Sequence, residues 1–507
     1  MRTWIIALCI SLSLCGAALA KGVSIHRMVV GDRALELQDT VQLTAHGDGE
    51  AVGAWISPDG KFVVYMDISE SGEDRVCLTR SSGGGHSILM DAPKDDKSPV
   101  QFWVASPSGS TRECLPAWSP DSRLIAFRAT LLTPGGTEDV YYTAASYVLV
   151  MTTAGLVRAQ IPLPLLRDIR GVEHLYWSPD SRRLACVVRR VDRTVPKSVQ
   201  SMTDLLMLDM ANGTVKTVYS KPDAVMHIQR WNADSKSLHY VVKDALGWQV
   251  MEWHVDGRPD SSVETVKTLE NTSPDRRWKK GNCKGLCVED CATGETKQVF
   301  KDSVVDFVGW TPDGNLVMYR QPFKISDLSG ERSRDLNSVW LAVAEDQKLN
   351  HMCIALDMDK DYASSFSRDG MRFAYVCQGR VCLAQLGWTR PDASDKIAAG
   401  IPLDEDEEKD YLTGAAKQIG AVVGMYASDH DGSYPSDAFV DEMGPYLGTS
   451  LFNRPGTDQM AFQYTPLGRM SDVRNPAETV LGMFDVGYQW QIILYADGHV
   501  RVVPKTK

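Results

Sequence analysis

Trp118-Ser119-Pro120-Asp121-Ser122 and Trp177-Ser178-Pro179-Asp180-Ser181 are two copies of one phrase, and its recurrence decides how the chain is read. Trp55-Ile56-Ser57-Pro58-Asp59-Gly60 and Trp310-Thr311-Pro312-Asp313-Gly314 are close variants. Degenerate copies stand at Trp231-Asn232-Ala233-Asp234-Ser235, Thr272-Ser273-Pro274-Asp275 and Phe366-Ser367-Arg368-Asp369-Gly370. The core of the phrase is turn chemistry: Pro presets φ, Asp bonds nearby backbone amides, and Gly tolerates positive φ. The Trp or Phe ends one strand, and a new strand begins about three residues after the Asp, as at Phe62–Tyr65, Leu124–Phe127 and Leu184–Val188.

These strands are apolar on both faces, where a sheet with one wet face would alternate with polar residues. Burial on both sides fits small sheets that are each sandwiched between two neighbours. The steps between copies, from position 55 to 366, average about 52 residues, close to the ~40–50 of known propeller repeats. Second landmarks, Ala154-Gly155, Asp209–Thr214 and Asp290–Glu295, have the composition of a turn between the outer strands of a four-stranded blade. Seven copies imply seven blades, or six if the copy around Thr272 is an insertion. Each Trp is read as core, where truncation costs about 3–5 kcal/mol.

The Trp-Ser-Pro-Asp-Gly phrase, its paired strand and the Asp-x-Ala-x-Gly-x turn resemble the TolB-type β-propeller repeat over roughly residues 25 to 390. The resemblance implies a fold, because this repeat serves binding proteins and also the non-catalytic domains of some peptidases. The repeat residues are Trp55, Asp59, Trp118, Asp121, Trp177, Asp180, Trp231, Asp234, Asp275, Trp310, Asp313, Phe366 and Asp369.

The chain has 507 residues, 43% hydrophobic and 23% charged, which is ordinary globular composition. A net charge of -11 argues against nucleic acid as a partner. Residues 1–20 read as a signal peptide: Arg2, an apolar run from Trp4 to Leu14, and Ala18-Leu19-Ala20. Leu14 is bulky where lipid attachment at Cys15 would want a small residue, so a lipoprotein is the less favoured reading, and no later run is apolar enough to span a bilayer. The expectation is an exported protein, periplasmic or extracellular, without a membrane span once the signal is removed.

Of eleven cysteines, nine remain after Cys9 and Cys15 are discounted. Export permits disulfides, and Cys377 and Cys382 flank a hairpin, which makes them the expected pair. Cys283, Cys287 and Cys291 have three residues between neighbours and lack paired knuckles or added His, so one disulfide and a thiol are favoured over metal. The histidines are scattered. Gly83-Gly84-Gly85 lacks the Gly-Lys-Ser/Thr of a phosphate loop, and no cofactor motif is present. No Gly-x-Ser-x-Gly elbow occurs, and residues 401–507 are too few for a serine hydrolase domain of the prolyl oligopeptidase type.

The propeller is assigned to 21–400. Asp404 to Asp410 is an acidic run, read within 401–411 as a linker or as the first turn of a helix, where carboxylates suit the dipole. From Leu412 the period becomes helical, with Ile419, Val422, Val423 and Tyr426 on one face. Gly420 and Gly424 permit close approach to a sheet. Three strands follow, near 461–465, 479–484 and 490–495, the last turning at Ala496-Asp497-Gly498 into His499–Val503. Asp429 and Asp431 are the weak metal candidates; a calcium loop would need a further bidentate Glu that is missing here.

Lys417–Gly420, Met425-Tyr426-Ala427, Asp429-His430-Asp431-Gly432-x-Tyr434-Pro435 and Tyr495–Val500 resemble the head of bacterial pseudopilins over about residues 412–503, within a head domain assigned to 412–507. A pseudopilin begins with a leader and a long apolar helix. A propeller stands in that place here, so a borrowed α+β head domain is the reading. Together these readings describe a mainly β chain, a propeller with a small α+β head. The expected role is non-enzymatic binding or assembly with protein partners of the cell envelope. Two alternatives stay open: a carbohydrate or small-ligand binding module, and a hydrolase or lyase with its site in the propeller channel.

Overall fold

The computed structural model describes residues 27–44, 50–68, 74–91, 101–104, 116–134, 141–163, 172–192, 200–244, 247–258, 261–264, 272–300, 305–326, 333–343, 351–358, 364–398, 400–443, 446–447, 449–457, 459–487 and 489–505. The signal-peptide reading of 1–20 lies outside them. The chain divides into two compact units. One holds Leu37–Gln347 and Cys353–Gly387; the other holds Trp388–Lys507 with two short segments. Both are built of small antiparallel sheets. Among the described residues no helix is long and apolar enough to cross a membrane.

In the larger unit each Trp-to-Asp turn joins the first strand of a repeat to its second. The first sheet comprises Glu50–Ile56, Phe62–Ile68, Asp74–Arg80 and His86–Asp91; the second has five strands, with Gln101–Val104 and Ala117–Trp118 both paired to Leu124–Pro134, and the third and fourth follow the plan of the first. The fifth has three strands, Trp278–Lys280, Leu286–Asp290 and Thr296–Phe300. The last two turns share one larger sheet, in which Met358 pairs with Cys377. Seven turns are thus distributed over six sheets. The Asp209 landmark lies between the third and fourth strands of its sheet, and the Asp290 landmark between the second and third strands of its own.

The strands are buried on both faces, as the sequence requires. Val63, Val64, Tyr65 and Met66 run in succession and none is more than 3% exposed. Successive side chains point to opposite faces, so each strand serves two neighbours. Phe127 packs toward Trp55 and Val64 of the first sheet, while Ala126 packs toward Leu184 and Val188 of the third. Ala185 and Val187 meet Met226 and Tyr240 of the fourth. Trp278 and Val288 meet Val317 and Tyr319. Ala374, Val376 and Val381 then meet Ala51, Val63 and Tyr65 of the first sheet. The last sheet thus packs back on the first, a propeller-like arrangement. The N-terminal strand joins the last one at the seam, where Leu43 N–H donates to Val381 O (2.8 Å) and Val381 N–H to Thr44 Oγ1 (3.1 Å).

The turns make an inner chain of their own. The residue after the Asp of every copy has positive φ: Gly60, Ser122, Ser181, Ser235, Arg276, Gly314 and Gly370, between 59° and 79°. It also touches the preceding copy. Asp59, Asp121 and Asp180 N–H donate to Ser122, Ser181 and Ser235 Oγ, each at 3.0 Å. A Cβ on Gly314 would lie 2.8 Å from Asp275 Oδ1. At the seam Arg368 N–H donates to Pro58 O (3.0 Å). The tryptophans reinforce these links: Nε1 of Trp118, Trp177 and Trp231 donates to Trp55, Ala117 and Tyr176 O of the preceding copy.

In the other unit the run from Asp404 is the start of helix Glu405–Asp429. Asp404 is its N-cap: Glu407 N–H donates to Asp404 Oδ1 (2.9 Å), and Asp404 N–H to Glu407 Oε2 (3.2 Å). Leu412, Ala416, Ile419 and Val423 are buried against the sheet of Phe462–Tyr464, Val480–Val486, Trp490–Tyr495 and Val500–Pro504. Gly420 permits the approach: a Cβ there would meet Leu494 Cδ1 at 2.8 Å and Gly498 O at 3.2 Å. Gly424 meets nothing within 4 Å.

The structure does not join Cys377 to Cys382. Register sets Cys377 opposite Arg380 and Cys382 opposite Tyr375. The two cysteines are diagonal, a placement of about 7–8 Å, beyond the 3.5–4.5 Å between Cβ atoms that a disulfide needs. The disulfide is Cys283–Cys287, and Cys291 keeps an exposed thiol.

Two substitutions test these packing statements by urea denaturation. Gly420→Ala overpacks the helix–sheet contact and costs about 1–3 kcal/mol; Gly424→Ala stabilises by about 0.5–1 kcal/mol through helix propensity. Equal midpoints for the two would contradict the close approach. In the ring, Ser181→Ala removes the acceptor of Asp121 N–H and costs about 1 kcal/mol. Ser181→Gly loses the same bond but relieves the positive φ, so its midpoint falls between Ala and wild type.

Candidate functional site

Most of the repeat is structural down to its hydrogen bonds. In six copies the Ser or Thr before Pro or Arg donates its hydroxyl to the Asp, from Ser57 Oγ to Asp59 Oδ1 (2.7 Å) through Ser367 to Asp369 (2.5 Å). That Asp then accepts the N–H two residues on, as Lys61 and Arg182 show. The same hydroxyl accepts the N–H that opens the next strand, from Phe62 to Arg372. Asp59, Asp121, Asp180, Asp234, Asp275, Asp313 and Asp369 all accept such turn bonds. Trp55, Trp177 and Trp231 are buried; Trp118, Trp310 and Phe366 are half-buried.

Two copies depart from this pattern, and both departures point to one place. In the fourth copy Asn232 replaces the Ser. Its Nδ2 turns away from Asp234 and donates to Ser237 Oγ and to Glu252 Oε1 (3.2 Å). In the fifth copy the left-handed position after the Asp holds Arg276, φ 64°, where other copies have Ser or Gly. A long side chain held in that conformation is costly and marks a constrained site. Like its counterparts it bears on the preceding repeat, and its charge acts on Arg230 and His239.

The fourth sheet supplies the rest. Cross-strand register sets Arg230 of Val225–Trp231 opposite His239 of Ser237–Asp244, and His239 opposite Glu252 of Gly247–His254. Directly opposed residues share a face. Leu238, Tyr240 and Trp253 pack on the third sheet, so Arg230, His239, Glu252 and His254 face the other way. His239 Nε2 lies 3.4 Å from Glu252 Oε1, and His254 Nε2 lies 3.7 Å from Glu252 Oε2. Arg258 Nη2 stands 3.5 Å from His254 Nδ1. A guanidinium only donates, which makes Nδ1 the acceptor and leaves the proton on Nε2, toward the carboxylate.

The electrostatics follow from this crowding. The Ser237 hydroxyl, with the two imidazoles, holds the Glu252 carboxyl below its usual range despite partial burial. Burial pushes His239 down, and the Arg230 guanidinium pushes it further, against the pull of Glu252. Burial also lowers Arg230, helped by repulsion from Arg276. Arg230 Nε is buried without a hydrogen-bond partner among the described residues. The layer therefore combines a carboxylate, a neutral imidazole and two guanidinium groups that repel each other. The buried guanidinium of Arg230 can bind an anion, and His239 can accept a proton.

The weak metal candidates do not assemble. Asp429 ends the long helix, Asp431 lies in the turn at φ 52°, and both are exposed. Among the described residues no group of three His, Cys, Asp or Glu is placed to hold a metal ion.

No protein-family profile and no curated protein match the chain. Solved structures similar to it include an oligogalacturonate lyase in complex with manganese, at 13% identity and TM-score 0.41, covering 72% of this chain and 96% of that one. TolB from Acinetobacter baumannii matches at 11% identity and TM-score 0.29, covering 68% of each chain. The β-propeller domain of the Trilobed protease from Pyrococcus furiosus matches at 12% identity and TM-score 0.36, covering 68% of this chain and 99% of that one. At these values the likeness transfers neither an activity nor a ligand. It does correct one expectation. The chain was read as non-enzymatic, yet proteins similar to it include a lyase and a domain of a protease.

The shift on His239 has a consequence for stability. A His lowered by folding binds its proton more readily when unfolded, so stability is complete above the ordinary His range near 6.5 and falls as pH drops below it. Thermal melts between pH 7.5 and 5.5 should show a falling Tm in the wild type and a smaller fall in His239→Gln. Parallel curves would remove His239 from that role.

Proposed function

We propose that the ring binds a small carboxylate-bearing ligand, of the size of an acidic sugar, on the Arg230–His239–Glu252 face. The observation that carries this reading is Arg230: its Nε is buried without a hydrogen-bond partner among the described residues, and Arg276 repels its charge. An anion between the two guanidinium groups would supply the missing acceptor and cancel the repulsion. Carboxylates suit a guanidinium because both are planar and can pair through two hydrogen bonds. Asn232 and Ser237 hold Glu252 in place and leave Arg230 for the ligand.

The chain around this site is proposed as an exported protein of the bacterial envelope. Residues 1–20 act as the signal, 21–400 form a propeller of seven units, and 412–507 form a pseudopilin-like head that meets envelope partners. Seven turns with shared hydrogen bonding support the seven units, and the helix-plus-hairpin plan of the head supports the likeness. A second reading keeps the same site and adds chemistry, a lyase or hydrolase. It is favoured by His239, which the fold holds neutral and therefore able to take a proton.

Isothermal titration with a uronic-acid trisaccharide and its neutral hexose counterpart tests the binding. Binding should be confined to the acidic sugar. Arg230→Gln should weaken it tenfold or more, as expected for a charge-assisted hydrogen bond of about 1.5–3 kcal/mol. Equal affinity for both sugars, or no change in the variant, would exclude the site. Appearance of unsaturated or shortened sugar in the same mixture, abolished in His239→Gln, would select the enzymatic reading.

A further inference from the structure

The head carries a cavity of about 310 Å³ that the ring site does not involve. That volume is at the small end of ligand sites, about 300–1,000 Å³. Its walls are the rings of Phe439, Phe452, Phe462 and Tyr464. Phe439 stacks on Tyr464 at 4.1 Å and meets Phe452 edge-on at 5.2 Å. Tyr464 donates its hydroxyl to Pro435 O at 2.7 Å, which fixes the ring. Met460, half-exposed, adds a flexible apolar side.

The polar side of the cavity is acidic. Asp437 and Asp441 line it and are exposed, and neither has a cationic partner among the described residues. Nearby Glu442 is already engaged by Ser436 and by the Tyr426 hydroxyl. The negative field reaches the cavity wall: burial first, then Glu442, raises Tyr464, and Asp437 adds to it. The bias extends over the whole segment, since residues 401–507 contain sixteen Asp and Glu against eight Lys and Arg. A second copy of this acidic surface would be repelled.

The geometry points to this cavity as the receptor for one basic side chain of a protein partner, an arginine or lysine. Its alkyl stem lies along the aromatic walls and its charge lies between Asp437 and Asp441. Such a stem and head match this lining, because long cationic side chains pack apolar surface while their charge stays wet. Aromatic faces also attract the cation itself.

Saturation-transfer NMR on the full chain tests it, with N-acetyl-arginine methyl ester as probe and the uncharged N-acetyl-norleucine methyl ester as control. The arginine ester should bind at least fivefold more tightly than the control, and should weaken as salt rises. The double variant Asp437→Asn, Asp441→Asn changes only exposed groups and should lose at least fivefold in affinity. Equal binding of the two esters, unchanged affinity in the double variant, or no binding by either ester would each overturn the assignment. The ring variant Arg230→Gln should leave the result unchanged, so failure here is separable from failure at the ring.

Discussion

A backbone amide and a serine hydroxyl hold successive sheets of the ring in register. Asp59, Asp121 and Asp180 each present an N–H that the local turn does not use, and the next copy's Ser accepts it at 3.0 Å. The bond requires the acceptor residue at positive φ, a conformation that Ser tolerates only with support. At Gly314 the neighbouring turn approaches too closely for a Cβ, which would lie 2.8 Å from Asp275 Oδ1. One bond of this kind contributes only about 0.5–1.5 kcal/mol. Its larger effect is geometric, because it sets the spacing at which two apolar faces meet.

That spacing makes the ring intolerant of polar residues between sheets, and so the layer at Arg230, His239 and Glu252 stands out. Taking charges out of water is costly unless each is paired and hydrogen-bonded. Glu252 meets that condition through Asn232 and His239, whereas Arg230 meets it only in part. An interface kept for stability alone would be apolar, like that between Ala126 and Leu184. The incomplete pairing is the physical reason for placing a ligand there. Position adds to this, since the first strands of adjacent sheets touch one another and Arg230 lies on such a strand.

The head follows different packing rules with the same economy of residues. One long helix covers one sheet, and a single glycine sets how close they come. Gly420 faces Leu494 and Gly498, while Gly424, one turn on, faces solvent. Both were legible as small residues at helical spacing. Only one of them carries a packing role, because the turn of about 100° per residue carries Gly424 past the buried stripe that Val423 and Ala427 continue.

The chain order of turns and strands was set by local chemistry, and the sequence alone determined it. Pro-Asp-Gly and Pro-Asp-Ser turns need no distant partner, and apolar runs such as Val63–Met66 cannot rest with one face in water. The strands of the head at 480–486 and 490–495 were legible for the same reason. What tertiary structure decided is which departures from the repeat matter. Asn232 stands in a degenerate copy of the phrase, and His239 is one of the scattered histidines. Register brings His239 and Glu252 to one face with Arg230, and register is a property of paired strands that a single strand does not display. The cysteines show the same division: Cys377 and Cys382 flank a hairpin in sequence, but a two-residue turn sets them diagonal, and the bond forms instead between Cys283 and Cys287.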